Sequence, residues 1–198
     1  MASHIALEES GLTFEAIAVN LGDEAERVKL KKLNPKNKIP TLVIDDQVLT
    51  ENVAIMWHIA ELAPAAKLLP DSPLARAQCL SMLSWYASTL HIAFRQSWRP
   101  EKFSNNPSAA ALNSIRANGR ETFWAALQTL DKRLANSQFV IGDHFTLADT
   151  YPMVFYNWAL IAKYPIETLP NLTAYKDRII ARPSVRKVLD REDCNLLD

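Results

Sequence analysis

The chain has 198 residues, with 22 Lys/Arg against 22 Asp/Glu and 48% apolar side chains, which leaves room for one large domain or two small ones. A formal net charge of zero sets up no overall field to recruit nucleic acid or a membrane surface. No apolar run approaches the roughly 20 residues that span a bilayer, no signal peptide is evident, and Cys79 and Cys194 share no motif that would suggest a disulfide framework or a Cys-x-x-Cys redox site, so a cytoplasmic protein is expected.

In chain order, residues 3–10 predict a short helix with Ile5, Ala6 and Leu7 apolar, closed by Gly11 as a C-terminal cap. Phe14 to Val19 alternates and suits a strand. Leu21 to Leu33 is a charged helical segment, followed by a turn; the five lysines from Lys29 to Lys38 read as a solvated face, or as attraction for an anionic ligand. Leu42 to Ile44 reads as a buried strand, Asp45-Asp46 as a turn, Val48-Leu49 as the return strand and Thr50 as a helix cap. Glu51 to Leu62 is a helix with Val53, Met56, Trp57 and Ala60 as its buried stripe.

Pro64, Pro70 and Pro73 cluster within ten residues and mark a domain boundary. Everything beyond reads as helix. Leu74 to about Arg95 is long, and Ser108 to Leu134 carries Phe123, Leu127, Leu130 and Leu134 at helical spacing. Leu147 to Ala162 is apolar almost all round, which places it at the centre of this part, with a bend or one disturbed hydrogen bond expected at Pro152. A further helix runs from about Leu172 to Ala181, and a shorter one from Val185 to Leu189. The expected division is 1–64, a linker at 65–73, and an all-helical domain at 74–198.

Two stretches carry chemistry. From Asn34 to Ile55, a basic turn bracketed by prolines leads into a hairpin and then a helix start bearing Glu51. A cis bond before Pro40 would leave its neighbour's backbone free to pair with a small extended ligand. The helix start offers free N–H groups to a carboxylate. The second stretch, Thr146-Leu-Ala-Asp149, is a capping box, with a structural role. Four scattered histidines and no cysteine cluster argue against a metal site. His4, His58 and His144 suggest no role of their own.

Read together, Lys38-Ile39-Pro40-Thr41-Leu42, Leu49-Thr50-Glu51-Asn52-Val53-Ala54-Ile55, Gly142-Asp143-His144-Phe145-Thr146-Leu147-Ala148-Asp149 and Ala181-Arg182-Pro183-Ser184-Val185 make the chain resemble the cytosolic glutathione transferases, the bacterial, beta-like members most of all. The resemblance covers nearly the whole chain, with its motifs in the right order. It implies an α/β thioredoxin-like N-terminal domain, an all-α C-terminal domain with a hydrophobic co-substrate pocket, a homodimer, and glutathione as co-substrate. The implied activity is attack of the glutathione thiolate on a small electrophilic, hydrophobic substrate, in the sense of detoxification. The implied contacts are Lys38 and Ile39 ahead of a cis Pro40, Glu51 at the γ-glutamyl end, and Asn52 where the family often has Ser. Asn37 replaces a common Gly and tolerates the same left-handed backbone.

The family places a strand and a loop with the catalytic Cys, Ser or Tyr before the segment that Ser3-His4-Ile5-Ala6-Leu7 resembles. The sequence is therefore expected to lack that first strand and its reactive group. Within it, Ser3 is the hydroxyl near the right place, and reads otherwise as the N-cap of the first helix. His91 matches a position where the family places a His facing the active site. Trp85, Tyr86, Phe94, Trp98 and Phe103 either line the co-substrate pocket or form ordinary core. The alternative reading is a non-catalytic binding or assembly protein of the same fold. No contact with nucleic acid or membrane is expected.

Overall fold

The computed structural model describes residues 1–106, 108–194 and 196; positions 107, 195, 197 and 198 of the expected helical domain lie outside the described residues. Helix α1 runs from Ala2 to Ser10 and stops at Gly11, whose φ of 70° is the left-handed turn that glycine takes without a Cβ penalty. Met1, not Ser3, is its N-cap; Ser3 sits inside the helix and is buried. Helix α2, Glu24–Leu33, starts at Asp23, whose carboxylate accepts the Glu26 N–H at 3.0 Å. Glu24 and Glu26 in its first turn and Lys31 and Lys32 in its last complement the helix dipole.

Strands β1 (Thr41–Ile44) and β2 (Gln47–Thr50) form an antiparallel hairpin, with Thr41 opposite Thr50 and Ile44 opposite Gln47. Asp45 and Asp46 both take positive φ, 47° and 65°, as the two-residue turn between right-twisted strands requires. Two sequence expectations fail here. Phe14–Val19 forms no strand and enters no sheet, and Ile17 is 75% exposed; alternation alone makes no strand when no neighbour supplies the ladder. Leu42–Ile44 is not buried either, because the sheet has two strands among the described residues and Val43 faces solvent.

Helix α3 (Asn52–Leu62) follows, capped by Glu51 and not by Thr50, which ends β2. It buries Ile55, Met56, Ile59 and Ala60; Val53 and Trp57 are half-buried, so the expected stripe is rotated by about one position. Ile5 and Ala6 of α1 belong to the same core. A 3₁₀ turn at Pro64–Ala66 leads to α4 (Pro73–Trp85), whose Ser72 cap accepts the Ala75 N–H at 3.1 Å with Pro73 at the first helical position.

A π turn at Tyr86–Leu90 joins α4 to α5 (His91–Trp98) in one rod, and α6 (Ala109–Leu134) packs back against it. The rod and α6 approach closely at Gly119, where a Cβ would lie 2.6 Å from the Ser97 nitrogen and 2.7 Å from the Ala93 oxygen. After a 3₁₀ turn at Leu147–Asp149 come α7 (Tyr151–Ile161), α8 (Pro170–Ile180) and α9 (Pro183–Arg191), the last longer than expected. Pro152 falls in the first turn of α7, where its missing N–H breaks no helical bond, so the expected bend does not arise.

The centre of the helical part is aromatic. Phe155 stacks on Tyr151 at 5.4 Å and meets Tyr86, Phe123 and Trp158 edge-on. Below it the capping box forms as predicted. Asp149 accepts hydrogen bonds from the Val140 and Thr146 N–H groups, both at 2.8 Å, and from the Thr146 and Tyr175 hydroxyls at 3.2 and 2.8 Å. Burial nonetheless pushes its carboxyl up to about 6, against the pull of those four donors.

Several contacts tie the two parts of the chain, among them ion pairs of Lys187 with Glu8 at 2.7 Å and of the Met1 ammonium with Glu192 at 2.8 Å. Arg182 holds Glu9 of α1 through two bonds of 2.7 Å, with the Ser184 hydroxyl on the same carboxylate. The Leu147 N–H donates to the Leu68 carbonyl at 2.9 Å. The Thr150 hydroxyl donates to the Met56 sulfur at 3.2 Å.

Candidate functional site

The turn before β1 is built by Asn34, a buried residue that sequence reasoning missed. Its amide nitrogen donates to the Lys38 carbonyl at 2.8 Å and to the Thr41 hydroxyl at 3.2 Å, while its oxygen accepts the Lys36 N–H at 3.1 Å. The Asn-Pro pair at 34–35 is the signal that marks such a side-chain-templated turn. Asn37 takes a φ of 52°, as its tolerance for the left-handed region allows. The chain then reaches Ile39 and a cis bond to Pro40.

This geometry leaves Ile39 available. Its side chain is 51% exposed, and among the described residues its N–H and C=O take no hydrogen bond outside the hairpin ladder, which starts at Thr41. A free, fixed peptide edge beside a strand suits pairing with another extended backbone.

Glu51 lies across from this loop. Its φ of 71° is a rare conformation for a residue with a Cβ. Its side chain makes no cap bond; instead Oε1 accepts from Lys36 Nζ at 2.6 Å. That bond, the Lys36 charge and the more distant Lys38 charge hold the Glu51 carboxyl below its ordinary range. Lys36 also donates to the Thr50 hydroxyl at 3.2 Å, so it bridges the basic turn and the helix start. Asn52 occupies the first position of α3, and its side chain lies beside the Tyr151 hydroxyl of the helical domain.

The structure thus brings together Lys38, Ile39, Pro40, Glu51 and Asn52, and adds Lys36, Asn34 and Tyr151. His91 is close enough for the Lys38 charge to act on it: burial first, then Arg95 and Lys38, push its imidazole down. Its ring meets Trp158 edge-on at 5.1 Å. Ser3 has no side-chain hydrogen bond among the described residues and is buried in α1. Tyr86 and Phe94 are core, whereas Trp98 and Phe103 are exposed. Among the described residues, no three His, Cys, Asp or Glu side chains converge as metal ligands, and no helix is long and apolar enough to cross a membrane.

A hairpin and α1 packed on α3, and tied to an all-helical second part, define the class: a thioredoxin-like domain with a helical C-terminal domain. Comparison with known proteins gives the family. Residues 1–61 match the glutathione S-transferase N-terminal domain and residues 107–183 the glutathione S-transferase C-terminal domain. Glutathione S-transferase GstA of Escherichia coli O157:H7 is 31% identical over 97% of this chain and 93% of its own.

A glutathione transferase homolog from Sulfitobacter, solved with bound glutathione, superposes with a TM-score of 0.87 at 30% identity, over 96% of this chain and 92% of its own. A sphingomonad glutathione S-transferase complexed with glutathione gives a TM-score of 0.82 at 36% identity, over 97% and 93%. The chain belongs to the glutathione S-transferase family.

Proposed function

We propose that this protein binds glutathione in the groove between the Lys38–Pro40 loop and the start of α3, and transfers it to a small hydrophobic electrophile. The observation that carries the reading is the unpaired Ile39 peptide held opposite a carboxylate at a helix start. In this reading the Ile39 backbone pairs with the cysteinyl part of glutathione, ahead of Pro40. Glu51 takes the γ-glutamyl ammonium in exchange for Lys36 Nζ, which now occupies it at 2.6 Å. The free N–H groups at the start of α3, with the Asn52 amide, take the γ-glutamyl carboxylate. Lys38 adds positive charge at the mouth of the groove.

The chemical task is to lower the pKa of the glutathione thiol below its free value of ~8.5, so that the thiolate attacks. His91 supports this role from the helical side, since its depressed pKa favours a neutral imidazole able to accept a proton. Ser3 is the weaker candidate, because its hydroxyl is buried inside α1. The same reading divides the chain at 1–64, 65–73 and 74–198, and includes a homodimer acting in the cytoplasm in detoxification.

A second reading, binding without catalysis, is favoured by the burial of Ser3 and by Asn52 in place of Ser. Retention on immobilised glutathione, lost in Glu51→Ala, is expected; absence of retention in the unaltered chain sinks the ligand. Conjugation of a chromogenic electrophile by the retained protein separates the two readings, and His91→Ala then tests the assigned proton acceptor.

A further inference from the structure

Where α5 crosses α6, the absent Cβ of Gly119 lets the end of one helix settle onto the face of the other. Arg116 and Arg120, one turn apart on α6, are thereby brought up to Ser97, Trp98 and Arg99, and with Ala162 they line an open cleft of about 430 Å³. No acidic side chain is among these lining residues. The arginine ion pairs among the described residues belong to Arg27, Arg182 and Arg191, so the three guanidiniums here lack a carboxylate partner within 4.0 Å.

Their local commitments are slight. Arg116 donates to the Asn113 side chain at 2.8 Å. Arg120 reaches the Ala162 carbonyl at 3.4 Å and lies 4.5 Å over the Tyr164 ring. Most of their N–H donors remain unused. Like charges one turn apart on a helix repel, and a third faces them, in a chain whose charges otherwise balance. A second feature also indicates a ligand. Trp98 is 50% exposed, with its ring stacked on Phe94 at 5.9 Å and 13°. Next to the cleft wall, the Tyr164 ring is 6% exposed, and its buried hydroxyl has no hydrogen-bond partner among the described residues.

The geometry points to a binding site for a planar aromatic carboxylate, its ring against Trp98 and its carboxylate on the forked guanidiniums of Arg99, Arg116 and Arg120. This site goes beyond glutathione binding and is separate from that groove. Three aromatic contacts lie between them: Trp98 to Phe94, Phe94 to Trp158 at 4.5 Å, and Trp158 to His91 at 5.1 Å.

Calorimetric titration of the full chain with 2-naphthoate, at low salt and without glutathione, tests the site. One equivalent per chain is expected to bind, and the neutral 2-naphthamide to bind roughly tenfold more weakly or worse. Added salt should weaken the acid and not the amide. Arg99→Gln with Arg116→Gln alters two side chains at the rim of the cleft, and should cost naphthoate about tenfold in affinity with an unchanged melting temperature. Saturating glutathione should leave the naphthoate affinity as it is. No binding, equal affinity for acid and amide, an unaffected double variant, or displacement by glutathione would each overturn the proposal. The acid, amide, salt and variant outcomes are read without glutathione and stand apart from whether glutathione itself binds.

Discussion

Two carboxylates stand at helix starts in this molecule, and they are treated in opposite ways. Asp149 is fully buried, accepts four hydrogen bonds, and locks the turn before α7 to Val140 and to Tyr175 of α8. Glu51 is 67% exposed, occupies the cap position of α3 without a side-chain cap bond, and holds a φ of 71° that a side chain ordinarily avoids. The first arrangement pairs both carboxylate oxygens and ties elements of the helical domain together. The second leaves helix N–H groups and a carboxylate open to the surface at a conformational cost of about 1–3 kcal/mol. A helix start that is not satisfied from within is one that a ligand can satisfy.

The sharpest test of this contrast is removal of each carboxylate. Asp149→Ala strands four buried donors and should cost about 3–5 kcal/mol in denaturant unfolding. Glu51→Ala should shift the same curve by less than about 1 kcal/mol, because the Lys36 pair is solvent-exposed. Equal losses at the two positions would break the distinction.

The packing side of the contrast can be sharpened at Gly119. A methyl group there meets backbone atoms of α5 at 2.6–2.7 Å, so the rods must move apart. Gly119→Ala is expected to destabilise by about 1–3 kcal/mol, despite the better helix propensity of alanine. The same change should open the arginine cleft. An unchanged midpoint would show that the crossing is loose.

Titration distinguishes the two carboxylates as well. The Asp149 carboxyl is raised from 3.8 to about 6 by burial. A folded-state pKa above the unfolded one means that the folded protein binds the proton more tightly. The contribution of Asp149 is therefore fully present below about pH 4 and is lost as pH rises through about 6. Asp149→Asn should remove that slope from the stability profile over this range. Glu51, shifted downward by Lys36, has the reverse sign: its contribution is present above its unfolded pKa and fades as pH falls through the lower folded value. It is the smaller effect, since Glu51 is exposed.

The helical domain was far more legible in the sequence than the groove. The Thr146–Asp149 box is a local signal and forms where the sequence places it, whereas the Ser72 and Ser108 caps were not singled out. The stop at Gly11 and the Asp45-Asp46 turn are also set within a few residues. Three of the expectations that failed show the want of tertiary information. Phe14–Val19 alternates like a strand, but pairing depends on a neighbour that periodicity cannot supply. Thr50 has the chemistry of a cap, yet the hairpin register holds it in β2 and passes the cap position to Glu51. The α3 stripe shifted because Ile55 and Ile59 face the core, leaving Val53 and Trp57 at its edge.

In the candidate site, Ile39, Glu51 and Asn52 were accessible through motifs, whereas their supports were not. Asn34, Lys36 and Tyr151 act over distances of 4, 15 and about 100 residues in sequence. The Glu9–Arg182 tie spans 173 residues, and nothing local marks Glu9 as its partner. The arginine cleft is equally silent in sequence, because it depends on the close crossing at Gly119.

The trade at Glu51 is tested most directly by Glu51→Gly, with glutathione titrated calorimetrically into the variant and the unaltered chain and both melted in parallel. Glycine adopts a φ of 71° without a Cβ clash, so a gain of up to about 1 kcal/mol in stability is expected together with loss of glutathione binding. Undiminished binding in Glu51→Gly, or no binding by the unaltered chain, would contradict the assignment of this helix start to the ligand.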